Sequence, residues 1–229
     1  MVRRARDVRF AVFVKICGVT TEEDALLAVA MGADAVGFVF APSTRQVAPG
    51  RVAEIVRRLP AEIVTVGVFR DALPERVVEI VGQAGLRAAQ LHGSETVEDC
   101  AYVASHVPMV VKAFPADHPE LRAASRYRAD AILVDAPVPG SGQLFDWKLA
   151  EGVPGVRRLL LAGGLTPDNV GEAIRIVRPW GVDVSTGVES GPGHKDPRKV
   201  RAFVQAARAA APEPYEPTED APYDWQEET

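Results

Sequence analysis

Cysteine, histidine and long apolar runs are all scarce in this chain, and each shortage removes a class of protein. Two cysteines, Cys17 and Cys100, in 229 residues make no disulfide framework. No Cys-x-x-Cys pair or clustered histidine spacing suggests a metal, so neither a metal nor another cofactor is expected. No apolar run approaches the roughly 20 residues that span a bilayer. The short basic N-terminus lacks the apolar stretch of a secretory signal, so the expected place is the cytoplasm, away from membranes.

An excess of basic residues is also missing: 26 Lys and Arg stand against 31 Asp and Glu, for a net charge of −5. That balance leaves no electrostatic footprint for nucleic acid. Seven of the 31 acidic residues lie between Glu213 and Thr229, where there is no Lys or Arg, which leaves 24 acidic against 26 basic residues in the body. The stretch 212–229 is rich in Pro and Glu and reads as a solvated tail, although Tyr215, Tyr223 and Trp225 offer it a way to dock.

What the chain does contain is an alternation of short apolar runs and amphipathic stretches. Strands are expected at Phe13–Cys17, Ala35–Phe40, Val64–Phe69, Ala88–Leu91, Met109–Ala113, Ala131–Val134, Leu159–Leu161 and Gly181–Val184. Helices are expected near Glu22–Met31, Pro49–Leu59, Pro74–Ala84, Thr96–Ser105, Pro119–Tyr127, Pro167–Val177 and Pro197–Ala211, with a short sixth crossover near Trp147–Glu151. Strands rich in Val, Ile and Ala with no polar alternation belong in a parallel sheet covered by helices. Eight such units in this length predict a single (β/α)8 TIM barrel over residues 1–211, with a short N-terminal extension. A doubly wound open sheet is the alternative architecture.

In a barrel the chemistry sits where strands end. Here the strand ends carry Cys17, Arg45 in the second loop, His92, Asp135, the pair Gly163-Gly164, and Asp183 leading to Thr186-Gly187. A thiol at such a place suits a nucleophile or a proton-abstracting base, against the plain alternative of a small buried hydrophobe. Two small-residue turns at consecutive strand ends, Leu161–Pro167 and Val182–Glu189, offer backbone N–H groups in the manner of a phosphate site. Of the four histidines only His92 falls at a strand end, and Cys100 sits in a helical pattern as packing.

The segments VKICGVT, GADAVGFVF, Ser43-Thr44-Arg45, VGVF, AAQLHG, the strand ending in Asp135, GSGQLFDW, LAGGLTPDNV and VDVSTGVE together resemble the phosphoribosylanthranilate isomerase family of tryptophan biosynthesis. The resemblance runs from Val12 to Ala211 and leaves both terminal segments outside. It implies an aldose–ketose isomerase that converts N-(5-phosphoribosyl)anthranilate to 1-(2-carboxyphenylamino)-1-deoxyribulose 5-phosphate. It also implies that Asp135 is the acid that opens the furanose and Cys17 the base that removes the C2 proton. Arg45 would then grip the anthranilate carboxylate, Gly163, Gly164, Thr186 and Gly187 would hold the phosphate, His92 would stand close to the substrate, and Asp183 would either orient the substrate or lie buried near Lys15.

An ordinary thiol titrates near 8.5 and an ordinary aspartate near 3.9, so catalysis asks the thiol to move down and the carboxyl up. Lys15, two residues before Cys17 and on the same side of the strand, is the expected cause for the thiol. Desolvation beneath the bound substrate is the expected cause for Asp135. The rival readings are a non-catalytic sugar-phosphate-binding barrel and a dual-specificity enzyme shared with histidine synthesis. The related histidine-pathway family places an aspartate where this chain has Cys17. The partner is a small phosphorylated molecule, and both a monomer and a homodimer are compatible with the resemblance.

Overall fold

The structure, a computed structural model, describes residues 12–137, 146–150, 153, 155, 156 and 158–211. Eight parallel strands close on themselves: β1 (Phe13–Ile16), β2 (Ala35–Val39), β3 (Val64–Phe69), β4 (Ala88–Leu91), β5 (Val110–Pro115), β6 (Ala131–Asp135), β7 (Leu159–Leu161) and β8 (Gly181–Val184). The barrel is sealed where Lys15 and Ile16 pair in register with Asp183 and Val184. The expected TIM barrel is therefore the fold, and the open sheet is excluded.

The strands bury both faces, which is why their sequences do not alternate with polar residues. Their outer faces pack Val14, Ile16, Val36 and Phe38 against helices α1 (Glu22–Ala30), α2 (Pro49–Val56), α3 (Pro74–Ala84), α4 (Val97–Ala104), α5 (Val170–Val177) and α6 (Pro197–Ala209). Inside, Phe13, Val66, Val111, Leu133 and Leu160 form a separate cluster, with Trp180 stacked on Phe13 at 4.4 Å. The apolar interior gives way towards the strands' carboxyl ends to Lys15, Gln90, Asp135 and Asp183, all buried. That polar layer is the floor of the site.

Several boundaries differ from the expectation for physical reasons. The stretch Pro119–Tyr127 is 3-10 rather than α, and its buried residues Leu121, Ala124 and Tyr127 recur every third position, the period of that tighter helix. The helix expected from Pro167 begins at Val170, because Asn169 accepts the Thr166 N–H at Oδ1 (2.8 Å) and donates to the Gly164 carbonyl (2.9 Å). Residues 189–195, given no element from the sequence, form a hairpin of β9 (Glu189–Gly191) and β10 (His194–Lys195). Thr20 donates to Gly193 O (2.7 Å), tying this hairpin to the first loop, while Thr21 caps α1. Most of GSGQLFDW, the extension 1–11 and the acidic segment 212–229 lie outside the described residues. No helix among the described residues is long and apolar enough to cross a membrane.

Candidate active site

A cavity of about 410 Å³ opens at the carboxyl ends of the strands, a size that suits a small ligand. Eight of the nine residues singled out from the sequence line it: Cys17, Arg45, His92, Asp135, Gly163, Gly164, Asp183 and Thr186. Gly187 does not. A Cβ at Gly187 would lie 1.9 Å from Leu165 O, so its missing side chain is what lets the β8 loop press against the β7 loop. The turn after β7 needs glycine for a different reason, since Gly163 and Gly164 have φ of 84° and 64°. Amide groups of Gly163, Gly164, Thr186 and Gly187 donate to no backbone acceptor among the described residues. Three of these four residues, Gly163, Gly164 and Thr186, line the cavity, so the two turns bring backbone donors to one corner of its mouth.

Cys17 follows β1 immediately and is fixed by its own N–H, which donates to Val184 O (2.8 Å). Gly37 on β2 makes the room for it, as a Cβ there would meet Cys17 Sγ at 2.8 Å and Lys15 Nζ at 3.2 Å. Lys15 Nζ donates to Asp183 Oδ1 at 2.9 Å with both side chains buried. Burial pushes the Cys17 thiol above the ordinary range of a thiol, while Lys15 pulls it down and Asp183 pushes it further up. The expected lowering by Lys15 is thus present but outweighed, because burial dominates and Asp183 neutralises much of the ammonium. The Lys15 ammonium loses stability to burial, yet Asp183 and Cys17 more than offset this and hold its pKa above the usual lysine value.

Asp135 ends β6 with its Oδ1 accepting the Ala136 N–H (2.7 Å), which leaves Oδ2 towards the cavity rim at His92. His92 Nε2 lies 3.4 Å from that Oδ2 and has no hydrogen-bond partner among the described residues. Gln90 Nε2 lies 3.2 Å from His92 Nδ1. The ring is thus set between Gln90 and Asp135, with Nε2 towards the carboxylate.

The loop from β2 folds back on its own strand, with Val47 N donating to Val39 O (3.0 Å), and presents Arg45. A free guanidinium is the expectation; instead Nε and Nη2 donate to Glu189 Oε1 and Oε2, both at 2.7 Å. That bidentate bond uses the side-on edge of the guanidinium, and the end-on edge formed by Nη1 and the second Nη2 hydrogen is left for an anion. Lys195, buried at 5% exposure, also donates to Glu189 Oε1 (2.9 Å) and to Ser185 O (3.2 Å). Burial raises the Glu189 carboxyl, but the bonds from Arg45 and Lys195 win and its pKa is lowered. Burial likewise lowers that of Lys195. The segments AAQLHG and VDVSTGVE hold Gln90 and Glu189, yet neither side chain received a task on sequence grounds, and Lys195 was missed because its polar neighbours, His194 and Asp196, give no sign of burial.

A sequence model of the family described as N-(5'phosphoribosyl)anthranilate (PRA) isomerase matches residues 14–206. The chain belongs to the N-(5'-phosphoribosyl)anthranilate isomerase family. Within that family, the protein of this description from Desulforudis audaxviator is 48% identical over 204 residues, covering 86% of this chain and 98% of the relative. The crystal structure of the phosphoribosyl anthranilate isomerase from Thermus thermophilus superposes with a TM-score of 0.80 at 43% identity, over 87% of this chain and 98% of that one. A further family structure, in complex with reduced 1-(o-carboxyphenylamino)-1-deoxyribulose 5-phosphate, superposes with a TM-score of 0.78 at 42% identity, over 86% and 99% of the two chains.

Proposed function

We propose that the chain isomerises N-(5'-phosphoribosyl)anthranilate to 1-(2-carboxyphenylamino)-1-deoxyribulose 5-phosphate, an internal aldose–ketose rearrangement in tryptophan biosynthesis. One observation carries the reading: a thiol just after β1 and a carboxylate from β6 share one cavity with Gly163, Gly164 and Thr186 of the β7 and β8 loops, whose N–H groups donate to no backbone acceptor among the described residues. The reaction needs an acid, a base and an anchor for a phosphate, and these are those three parts.

In this reading the protonated Asp135 gives its proton to the furanose oxygen, the C1–O bond of the ring breaks, and the aryl nitrogen's lone pair forms a double bond to C1 as an iminium. The thiolate form of Cys17 removes the C2 proton, and the electron pair moves to neutralise the iminium as an enolamine. Return of a proton to C1 and loss of the proton on O2 give the ketone, so no electrons leave the molecule. Gly163, Gly164, Thr186 and Gly187 hold the phosphate, whose charge suits amide donors. The end-on edge of Arg45 takes the anthranilate carboxylate. His92 Nε2 stands between Asp135 and substrate, and Asp183 keeps Lys15 beneath Cys17.

All of these residues come from one chain, so a monomer and a homodimer serve the mechanism equally, and a cytoplasmic site of action belongs to the same reading. The test is to generate N-(5'-phosphoribosyl)anthranilate and follow its fluorescence with the purified protein. Rapid decay with appearance of the ketose supports the reading. Binding without turnover would favour a sugar-phosphate-binding barrel instead, and comparable turnover of the histidine-pathway aminoaldose would establish a dual specificity.

A further inference from the structure

We propose that Glu95, buried outside the barrel wall, is a positioning residue that acts with Lys112 to set the imidazole of His92 against Asp135. The proposal rests on the reading of Asp135 as the acid.

Lys112 lies on β5 between Val111 and Ala113, which face the barrel interior, so its side chain points the other way and touches no substrate. It is 1% exposed, and its Nζ donates to Gly93 O (2.7 Å) and to Glu95 Oε2 (2.8 Å). Glu95 in turn accepts the Gly93 N–H at Oε2 (2.9 Å) and the Asp71 N–H at Oε1 (3.0 Å). Asp71 has a φ of 53°, rare for a residue other than glycine, and its Oδ1 accepts the Ser94 N–H at 2.7 Å. A Cβ on Gly93 would lie 2.3 Å from that Oδ1, so the β3 and β4 loops meet with no space between them.

The consequence falls on His92. Both backbone groups of the residue after it, Gly93, are taken by the Glu95–Lys112 pair, and its own N–H donates to Phe69 O (2.8 Å). The ring is thereby held with Nδ1 at Gln90 and Nε2 a few tenths of an ångström beyond hydrogen-bond reach of Asp135. Burying an ion pair is a poor way to gain stability, and apolar residues of similar volume often do as well. What charge supplies here, and apolar packing does not, is three directed bonds to loop backbone at the site's edge. Misplacement of a reacting group by about 1 Å is enough to slow catalysis severalfold to a hundredfold.

A double-mutant cycle on the full chain tests this. Glu95→Gln keeps the volume and one acceptor oxygen, and His92→Ala removes the group through which Glu95 is held to act. Glu95→Gln should lower kcat about tenfold with KM changed less than about twofold, yet change kcat less than about twofold when His92 is already Ala. An equal loss in both backgrounds, or no loss beside native His92, overturns the proposal. Should the Gln variant fail to fold by circular dichroism, Glu95→Asp and Lys112→Arg enter the same cycle and are read by the same criterion. Failure of the underlying reading shows separately, as full kcat in Asp135→Asn.

Discussion

Lys15 Nζ and Asp183 Oδ1 meet at 2.9 Å between register partners of the strands that close the barrel, β1 and β8. The pair does two things at once, stitching the seam and laying a cation beneath Cys17. A buried pair that loses one member leaves an uncompensated charge. Lys15→Met should therefore destabilise the fold by about 3–5 kcal/mol in denaturant titration. Adding Asp183→Asn should restore a large part of that loss while leaving activity low. Wild-type stability in the single variant would mean that the pair is not buried in solution.

The thiol of Cys17 is held protonated by burial, so its pH behaviour should run opposite to that of an activated cysteine. Alkylation at Cys17, followed by peptide mass spectrometry, should be slow at pH 7 and climb above pH 9. Cys100, pushed up to about 12 mainly by burial, should label more slowly still. The sign for stability follows from linkage. A pKa raised in the fold contributes stability that is complete below the unfolded thiol value, near 8.5, and is lost as pH rises through the folded value. An alkylation rate that has already reached its plateau at pH 6 would contradict the raised thiol.

Gly187 makes the phosphate corner testable without touching the acid or the base. Any side chain there must push the β8 loop off Leu165 O. Loss of one charge-assisted hydrogen bond of this kind is worth about 1.5–3 kcal/mol, so Gly187→Ala should raise KM roughly tenfold to a hundredfold with kcat much less affected. Inhibition by inorganic phosphate should weaken in parallel.

The barrel was legible because eight apolar strands with turns after them leave few other ways to bury both faces of a sheet. The positions of Cys17, His92 and Asp135 followed from the same logic, since a polar residue at the end of a buried strand has only the mouth to face. Less legible was anything fixed by pairs distant in sequence. Arg45 and Glu189 are 144 residues apart, and Lys15 and Asp183, 168 apart, were placed together only as one of two readings of Asp183. No periodicity announces such a contact. The thiol's direction was misjudged because burial, which outweighs Lys15, comes from the whole surrounding fold, with Asp183 from the far end of the chain adding to it. Lys112, set among valine, alanine and phenylalanine, was a visible anomaly whose partner lay on another strand's loop.

The central claim is that Cys17 and Asp135 act on one substrate from two sides of a shared cavity. It is met most directly by single-turnover rates of N-(5'-phosphoribosyl)anthranilate with the wild type, Cys17→Ser and Asp135→Asn, all confirmed folded. Each substitution should slow the chemical step by about 10²–10⁴-fold while substrate still binds. Wild-type rates in both variants would contradict the claim outright.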